Sequence, residues 1–367
     1  MTEQAQASKD GSLSTLVGSR LAQAGGWLPF DEFMALALYA PGQGYYARDS
    51  RQFGLLPGSG SDFVTAPELS PLFGAALARQ VQQALVASNS AEVLEFGAGS
   101  GALAEQLLMA LGDAVQQYRI VDVSGALRAR QAARLQRFGR RVQWLDAWPH
   151  RINGVVLGNE VLDAMPVQLL QWDGRVWWQR GVAVHGAQWV WSDRPTDLSP
   201  PVDASTLPPG YVTELHSQAQ AFIRSLAERL HRGIAIFIDY GFPQHEYHHP
   251  QRSGGTLMCH QAHRADDNPL IDVGDKDITA HLDFTAIALT AQDAGLDVVG
   301  YTSQARFLMN CGLLELLAGA DVRTVANAQK LLTEHEMGEL FKVIALAKGL
   351  PGFRPLGFAA GDRTHTL

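Results

Sequence analysis

Cysteine is nearly absent from this 367-residue chain: only Cys259 and Cys311 are present. That excludes a disulfide framework and suits a reducing compartment. Basic charge is also scarce. Lys and Arg number 29 against 37 Asp and Glu, a formal net charge of -8. No positive footprint exists for nucleic acid, whose binding depends on neutralising phosphates. An acidic balance permits a cationic substrate without specifying one. No run of about 20 apolar residues occurs, so no membrane-spanning helix is expected. The opening residues, MTEQAQASKDGSLSTL, carry acids and lack both an apolar segment and an arginine-rich amphipathic pattern. They do not read as a signal or transit peptide, and the expected location is cytoplasmic. What remains is globular material, 46% hydrophobic and 18% charged. It suffices for two domains or one large decorated α/β domain.

Residues 28 to 39, LPFDEFMALALY, have helical apolar spacing, with Asp31 and Glu32 suited to a first turn. A loop rich in glycine and aromatics follows, and then Pro67 and Glu68 suit the opening of a long amphipathic helix. Residues 1–88 therefore read as an N-terminal helical layer. From residue 92 short apolar strands alternate with helices: EVLEF, YRIVDVS, RVQWLDAW, GVVLGN and GIAIFIDYG. Such alternation predicts a parallel sheet wrapped by helices. The core is expected over 89–347, with insertions at 166–212 and 243–283 and a tail over 348–367. The first insertion is rich in Val and Trp and carries Asp173-Gly174, a hairpin signal, so it is expected to be antiparallel, with a helix near 213–231 to follow. The second is rich in Gly, His and Asp with little periodicity, a long loop of the kind that usually has a function. The chain closes with helices around 284–335 and the strand LFKVIALAKG.

The most informative loop is Glu95-Phe96-Gly97-Ala98-Gly99-Ser100-Gly101, between the first strand and a helix. Glycines let the backbone approach a ligand, and a helix N-terminus favours negative charge. Gly97, Gly99 and Ala102 also satisfy a dinucleotide pattern, and a tight turn with no ligand is the plain alternative. Glu95 discriminates. A carboxylate there would repel a pyrophosphate but welcome a cationic amino group, and S-adenosylmethionine (SAM) carries an amino group beside a carboxylate. Asp122, ending the second strand, suits ribose hydroxyls of either cofactor. After the third strand, Asp146 can accept from an exocyclic amine and Trp148 can stack on a flat ring.

The strings DFVTAPELSPLFG, LEFGAGSGALA, YRIVDVS, NEVLDAMPV, IDYGFP and GDKDITAHLDF, in this order over most of residues 28 to 345, resemble the MidA-type class I methyltransferases. Mitochondrial members of that family assist respiratory complex I assembly. The resemblance implies a Rossmann-like, seven-stranded methyltransferase core, SAM as cofactor, and, for mitochondrial members, arginine of a complex I subunit as acceptor. Ser124 is a further cofactor candidate, and Thr65, Pro67 and Glu68 are candidates for a lid over the cofactor. Two positions depart from the family pattern: Asp122 replaces the commoner Glu, and Ala98 stands where the family has Pro.

On that core, Asn159, Glu160 and Asp163 end a strand and would face the sulfonium side of the cofactor. Guanidinium is a poor nucleophile, and carboxylates holding it bidentately fix its plane and localise its charge. Glu160 is expected to hold the acceptor, Asp163 to assist and Asn159 to bridge to the cofactor. Asp163 as a mere helix cap is the bland reading. Tyr39, Tyr45 and Tyr46 are candidates for lining the cofactor, Asp239 and Tyr240 for its rim, and His260, His263, Asp277, Thr279 and Asp283 for shaping the acceptor site. His245, His248, His249, Cys259, His260 and His263 raise zinc, but the paired spacing of a structural zinc site is missing, so no metal is expected. Competing readings are a nicotinamide-dependent oxidoreductase, resting on the glycine loop alone, and a non-catalytic SAM-binding assembly factor. No motif encodes oligomeric state, and a homodimer is compatible with the sequence.

Overall fold

The structure, a computed structural model, describes residues 3–48, 65–262 and 264–367, with side chains from residue 13 onward. Seven core strands are formed: β1 (Glu92–Phe96), β2 (Gln117–Val121), β3 (Val142–Leu145), β4 (Ile152–Asn159), β5 (Leu230–Phe242), β6 (Asp297–Ser303) and β7 (Phe341–Lys348). They lie side by side in the order 3-2-1-4-5-7-6. β1 to β5 pair in parallel, and β7 runs antiparallel between β5 and β6. The continuous apolar runs of β4 and β5 are explained by burial on both faces. Helices Pro71–Ser88 and Ala102–Leu111 pack on one face, and Ser217–Arg229 and Phe284–Asp293 on the other. Strand order reverses between β1 and β4, which opens a crevice at their carboxyl ends.

The first insertion is an antiparallel sheet of Gln168–Trp172, Trp177–His185, Gln188–Pro195 and Tyr211–Leu215, joined by Leu28–Pro29 from the N-terminal layer. Asp173-Gly174 does turn a hairpin, through a four-residue loop in which Asp173 Oδ1 accepts from the backbone N–H of Arg175 and Val176. Tyr211–Leu215 is a strand where a helix was expected to begin, and the helix starts at Ser217. The second insertion contains a small sheet: Met258–Gln261 pairs with Arg264–Asp266 and Asp277–Thr279. Leu282–Asp283 adds to the end of β5.

One expectation needs correction. The stretch read as helices over 284–335 contains β6, the seventh strand, between its helices. The tail is a packed element: Phe358 seats against Phe307 at 5.4 Å, Asp362 accepts from the Tyr301 N–H at 3.0 Å, and Arg363 pairs with Glu339 at 2.6 Å. Gly300 permits this, since a Cβ there would fall 2.2 Å from the Phe358 ring. Both cysteines are buried, Cys259 in the small insertion sheet and Cys311 under the helical layer. Among the described residues, no helix is long and apolar enough to cross a membrane.

Candidate active site

A cavity of about 450 Å³ occupies the crevice. Its floor is the turn after β1. Gly97, Gly99 and Gly101 have φ of +59°, +53° and +81°, a region costly for side-chain-bearing residues. A Cβ on Gly97 would also press to 3.1 Å from Val161. Gly97 and Gly99 line the cavity, whereas Gly101 turns toward Gln131 beneath the loop. Glu95 lines it too, buried, and accepts from the Tyr118 hydroxyl at 2.7 Å. Burial pushes its carboxyl up to about 8, against the opposing pull of Tyr118 and with help from Asp122.

Asp122 faces the cavity from the end of β2 and accepts from Ser124 N–H at 2.9 Å and Gln131 Nε2 at 2.7 Å. Gln131 was not foreseen. It also donates to Gly99 O at 2.9 Å and accepts from Trp144 Nε1 at 2.8 Å, tying the glycine loop to β2 and β3. The signal was legible: Leu127, Gln131 and Leu135 are the buried, four-spaced face of helix Gly125–Leu135, and an amide in that stripe needs a polar partner. Trp148 lines the cavity, held by Phe96 at 4.4 Å and Phe222 at 4.7 Å.

Four expected cofactor residues lie off the cavity wall. Gly101 supports the loop from below. Ser124 caps its helix, accepting from Leu127 N–H at 3.2 Å. The Asp146 side chain is 93% exposed and pairs with Arg128 at 2.6 Å, because β3 is the sheet edge and its end runs out to water. Thr65 and Pro67 do roof the cavity, but Glu68 turns back to Arg134 at 2.8 Å and to the Ser100 hydroxyl.

The opposite end is acidic. Asn159, Glu160 and Asp163 all line it, together with Asp277 and Thr279 from the second insertion. Glu160 sits in the left-handed region, φ +55°, with its N–H on Ile238 O at 2.9 Å and its carboxylate accepting from Asn159 Nδ2 at 3.0 Å. No helix follows Asp163, so it caps nothing. Beneath the turn, fully buried Asp239 accepts through Oδ1 from the backbone N–H of Val161, Leu162 and Asp163 at 2.9, 3.0 and 3.3 Å. Burial first, then Asp163 and Asp277, holds the Glu160 carboxyl well above the usual range. Burial, then Asp239 and Asp277, does the same for Asp163, and burial brings Asp239 up to about 7. Tyr46 donates to Asp277 at 2.8 Å and Tyr39 to Ala164 O at 2.8 Å, their rings stacked at 5.6 Å. Tyr240 and His260 complete this end, and no lysine or arginine lines the cavity among the described residues.

Other candidates went elsewhere. Tyr45 is core, and Asp283 caps helix Phe284–Asp293 through Ala286 N–H at 3.1 Å. His263 lies outside the described residues. Among the described residues no three His, Cys, Asp or Glu side chains group as a metal site.

Residues 73–302 match the family described as "Putative S-adenosyl-L-methionine-dependent methyltransferase". A Burkholderia thailandensis protein crystallised with S-adenosyl-homocysteine is 49% identical, superposes with a TM-score of 0.93, and is matched over 98% of this chain and 97% of its own. A mitochondrial protein arginine methyltransferase homolog of Drosophila melanogaster is 29% identical over 93% of this chain and 86% of its own length. Its counterpart in Danio rerio is 26% identical over 86% and 82%. The glycine turn, the cavity-facing acid at the end of β2 and the crevice at the strand-order reversal agree with that match: the chain belongs to this S-adenosyl-L-methionine-dependent methyltransferase family.

Proposed function

We propose that the chain methylates a guanidinium nitrogen of a protein arginine. The observation that carries this reading is the acidic end of the cavity: Glu160, Asp163 and Asp277 on the wall, Asp239 behind them, and no basic side chain among the described lining residues. Buried carboxyls gathered this closely are costly, and a planar cation entering among them relieves that cost. Guanidinium matches paired carboxylates in a way an ammonium does not. The names of the Drosophila and zebrafish relatives point the same way. A respiratory complex I subunit is the acceptor that the family resemblance suggests.

The residues at the other end fit the cofactor. Glu95 receives the amino group, the glycine-loop N–H groups face the carboxylate, Asp122 takes the ribose hydroxyls and Trp148 covers the base. The bound cofactor supplies an electrophilic methyl group on a sulfonium. The protein's part is then chiefly orientation: Glu160 fixes the guanidinium plane, Asn159 fixes Glu160, and the Tyr39–Tyr46 pair and the Thr65–Pro67 roof exclude water.

The test is methyl-labelled SAM with arginine-bearing peptides and a cell lysate, with methylarginine identified after hydrolysis. Glu160→Gln is expected to lower turnover roughly 100-fold while binding S-adenosyl-homocysteine normally. Unchanged turnover in this variant ends the proposal. Tight cofactor binding with no labelled acceptor at all would favour the non-catalytic reading.

A further inference from the structure

Asp239 never touches the cavity, yet it is the residue around which the acidic turn is built. Its Oδ1 is saturated by three successive backbone N–H groups. Its Oδ2 is buried with no partner, and so is Oδ1 of Asp163, whose carboxyl lies beside it. Two neighbouring buried carboxyls repel each other when both are ionised, and each unpartnered buried oxygen is costly to leave unmade. One proton between them removes both costs. We propose that Asp163 and Asp239 form a carboxyl dyad, sharing one proton between Asp163 Oδ1 and Asp239 Oδ2, that receives the proton the acceptor nitrogen sheds on methylation.

The three N–H bonds favour the anion on Asp239, so the shared proton resides on the Asp163 side and the resting dyad carries one negative charge. On the cavity side the described groups around Asp163 are Glu160 on the same turn, Tyr240 on β5, Asp277 and His260 from the second insertion, and Tyr39 and Tyr46 from the N-terminal layer, while Lys342 on β7 stands across from Asp239. The Lys342 ammonium is turned to Glu339, and among the described residues no lysine or arginine lines the cavity, so a cationic substrate entering it meets Asp163 directly. In the transfer, the acceptor nitrogen bonds to the methyl carbon while the carbon–sulfur bond breaks, its electron pair staying on sulfur. The nitrogen's proton passes to Asp163, and the bridging proton moves onto Asp239 Oδ2. The dyad is then neutral and resets by losing one proton to solvent. Asp163 is thus a catalytic residue and Asp239 a positioning residue. The transfer step rests on the guanidinium reading; the shared proton does not.

Infrared spectra of the protein carrying isotopically labelled aspartate, recorded at neutral pH without acceptor, test the dyad directly. A protonated-carboxyl band that disappears in both Asp163→Asn and Asp239→Asn is expected. Asp239→Asn keeps an oxygen for the three N–H groups and an amide N–H for Asp163, so S-adenosyl-homocysteine binding and acceptor KM should stay near wild type. Its kcat should fall roughly 100-fold and its rate profile should lose one ionisation. Asp239→Ala, which frees the turn, should damage KM as well. Absence of the band, its survival in both variants, or a wild-type kcat and pH profile in Asp239→Asn would overturn the dyad. If the band behaves as stated but no arginine is methylated, only the acceptor assignment falls.

Discussion

In its proposed role at the cofactor's amino group, Glu95 presents a carboxyl that burial has pushed up to about 8. A cationic amino group arriving beside it favours the ionised form, so binding below that pH must expel a proton. Affinity for S-adenosyl-homocysteine should therefore rise with pH up to about 8 and then level off. Calorimetry in buffers of different ionisation enthalpy should show proton release at pH about 7, and Glu95→Gln should bind more weakly without release. Proton uptake by the wild type would contradict this role. Several residue identities were legible because a strand end is where an α/β sheet places its ligands: Glu95, Asp122, Trp148, Asn159, Glu160 and Asp163 all reach the cavity. Asp146 satisfies the same rule and points away, because whether a strand end faces the crevice depends on its place in the sheet, which adjacent residues do not encode. Gln131 and Asp239 act through other residues, and only distance in space reveals that.

At the scale of elements, the packed tail makes the sharpest expectation. Phe358 fills the space left by Gly300 and closes the core beside Phe307. Phe358→Ala should cost about 3 kcal/mol in urea unfolding, whereas the same change at an exposed site costs little. A loss below about 0.5 kcal/mol would mean that the tail is not part of the cooperative unit. The tail went unread because it has no periodicity; turns and single aromatic contacts hold it. β6 was missed for a related reason. Its strand is interrupted by a register shift between Val298 and Gly300 and stands between two helical runs, so alternation is weak there. The parallel strands β1 to β5, by contrast, carry apolar runs bounded by turn residues, and these were plain in the sequence.

Across the whole molecule, buried titratable groups pull stability in opposite directions with pH. His216, His248 and His281 are pushed down to about 3, 4 and 4, so they favour the folded state only where the unfolded chain's histidines are also neutral. Their contribution is lost as pH falls below about 6.5. Asp283 and Glu95 are pushed up to about 6 and 8; they favour the folded state while protonated, and lose that contribution as pH rises through those values. Above about 6.5 the histidine effect is exhausted and only the carboxyl effect remains, so the unfolding free energy should decline from pH about 6.5 to 8.5. A steady rise over that range, measured by urea denaturation, would contradict this balance.

The scarcity of cysteine then acquires a practical meaning. Cys259 lies in the small sheet beside the acidic end of the cavity and Cys311 in the core cluster under helix Pro71–Ser88, and both are fully buried. Each thiol is silent toward reagents until its own neighbourhood opens, so the chain carries two natural clocks. One times the parting of the insertion at the acidic end of the cavity, the other the breaching of the helical scaffold that backs the glycine turn.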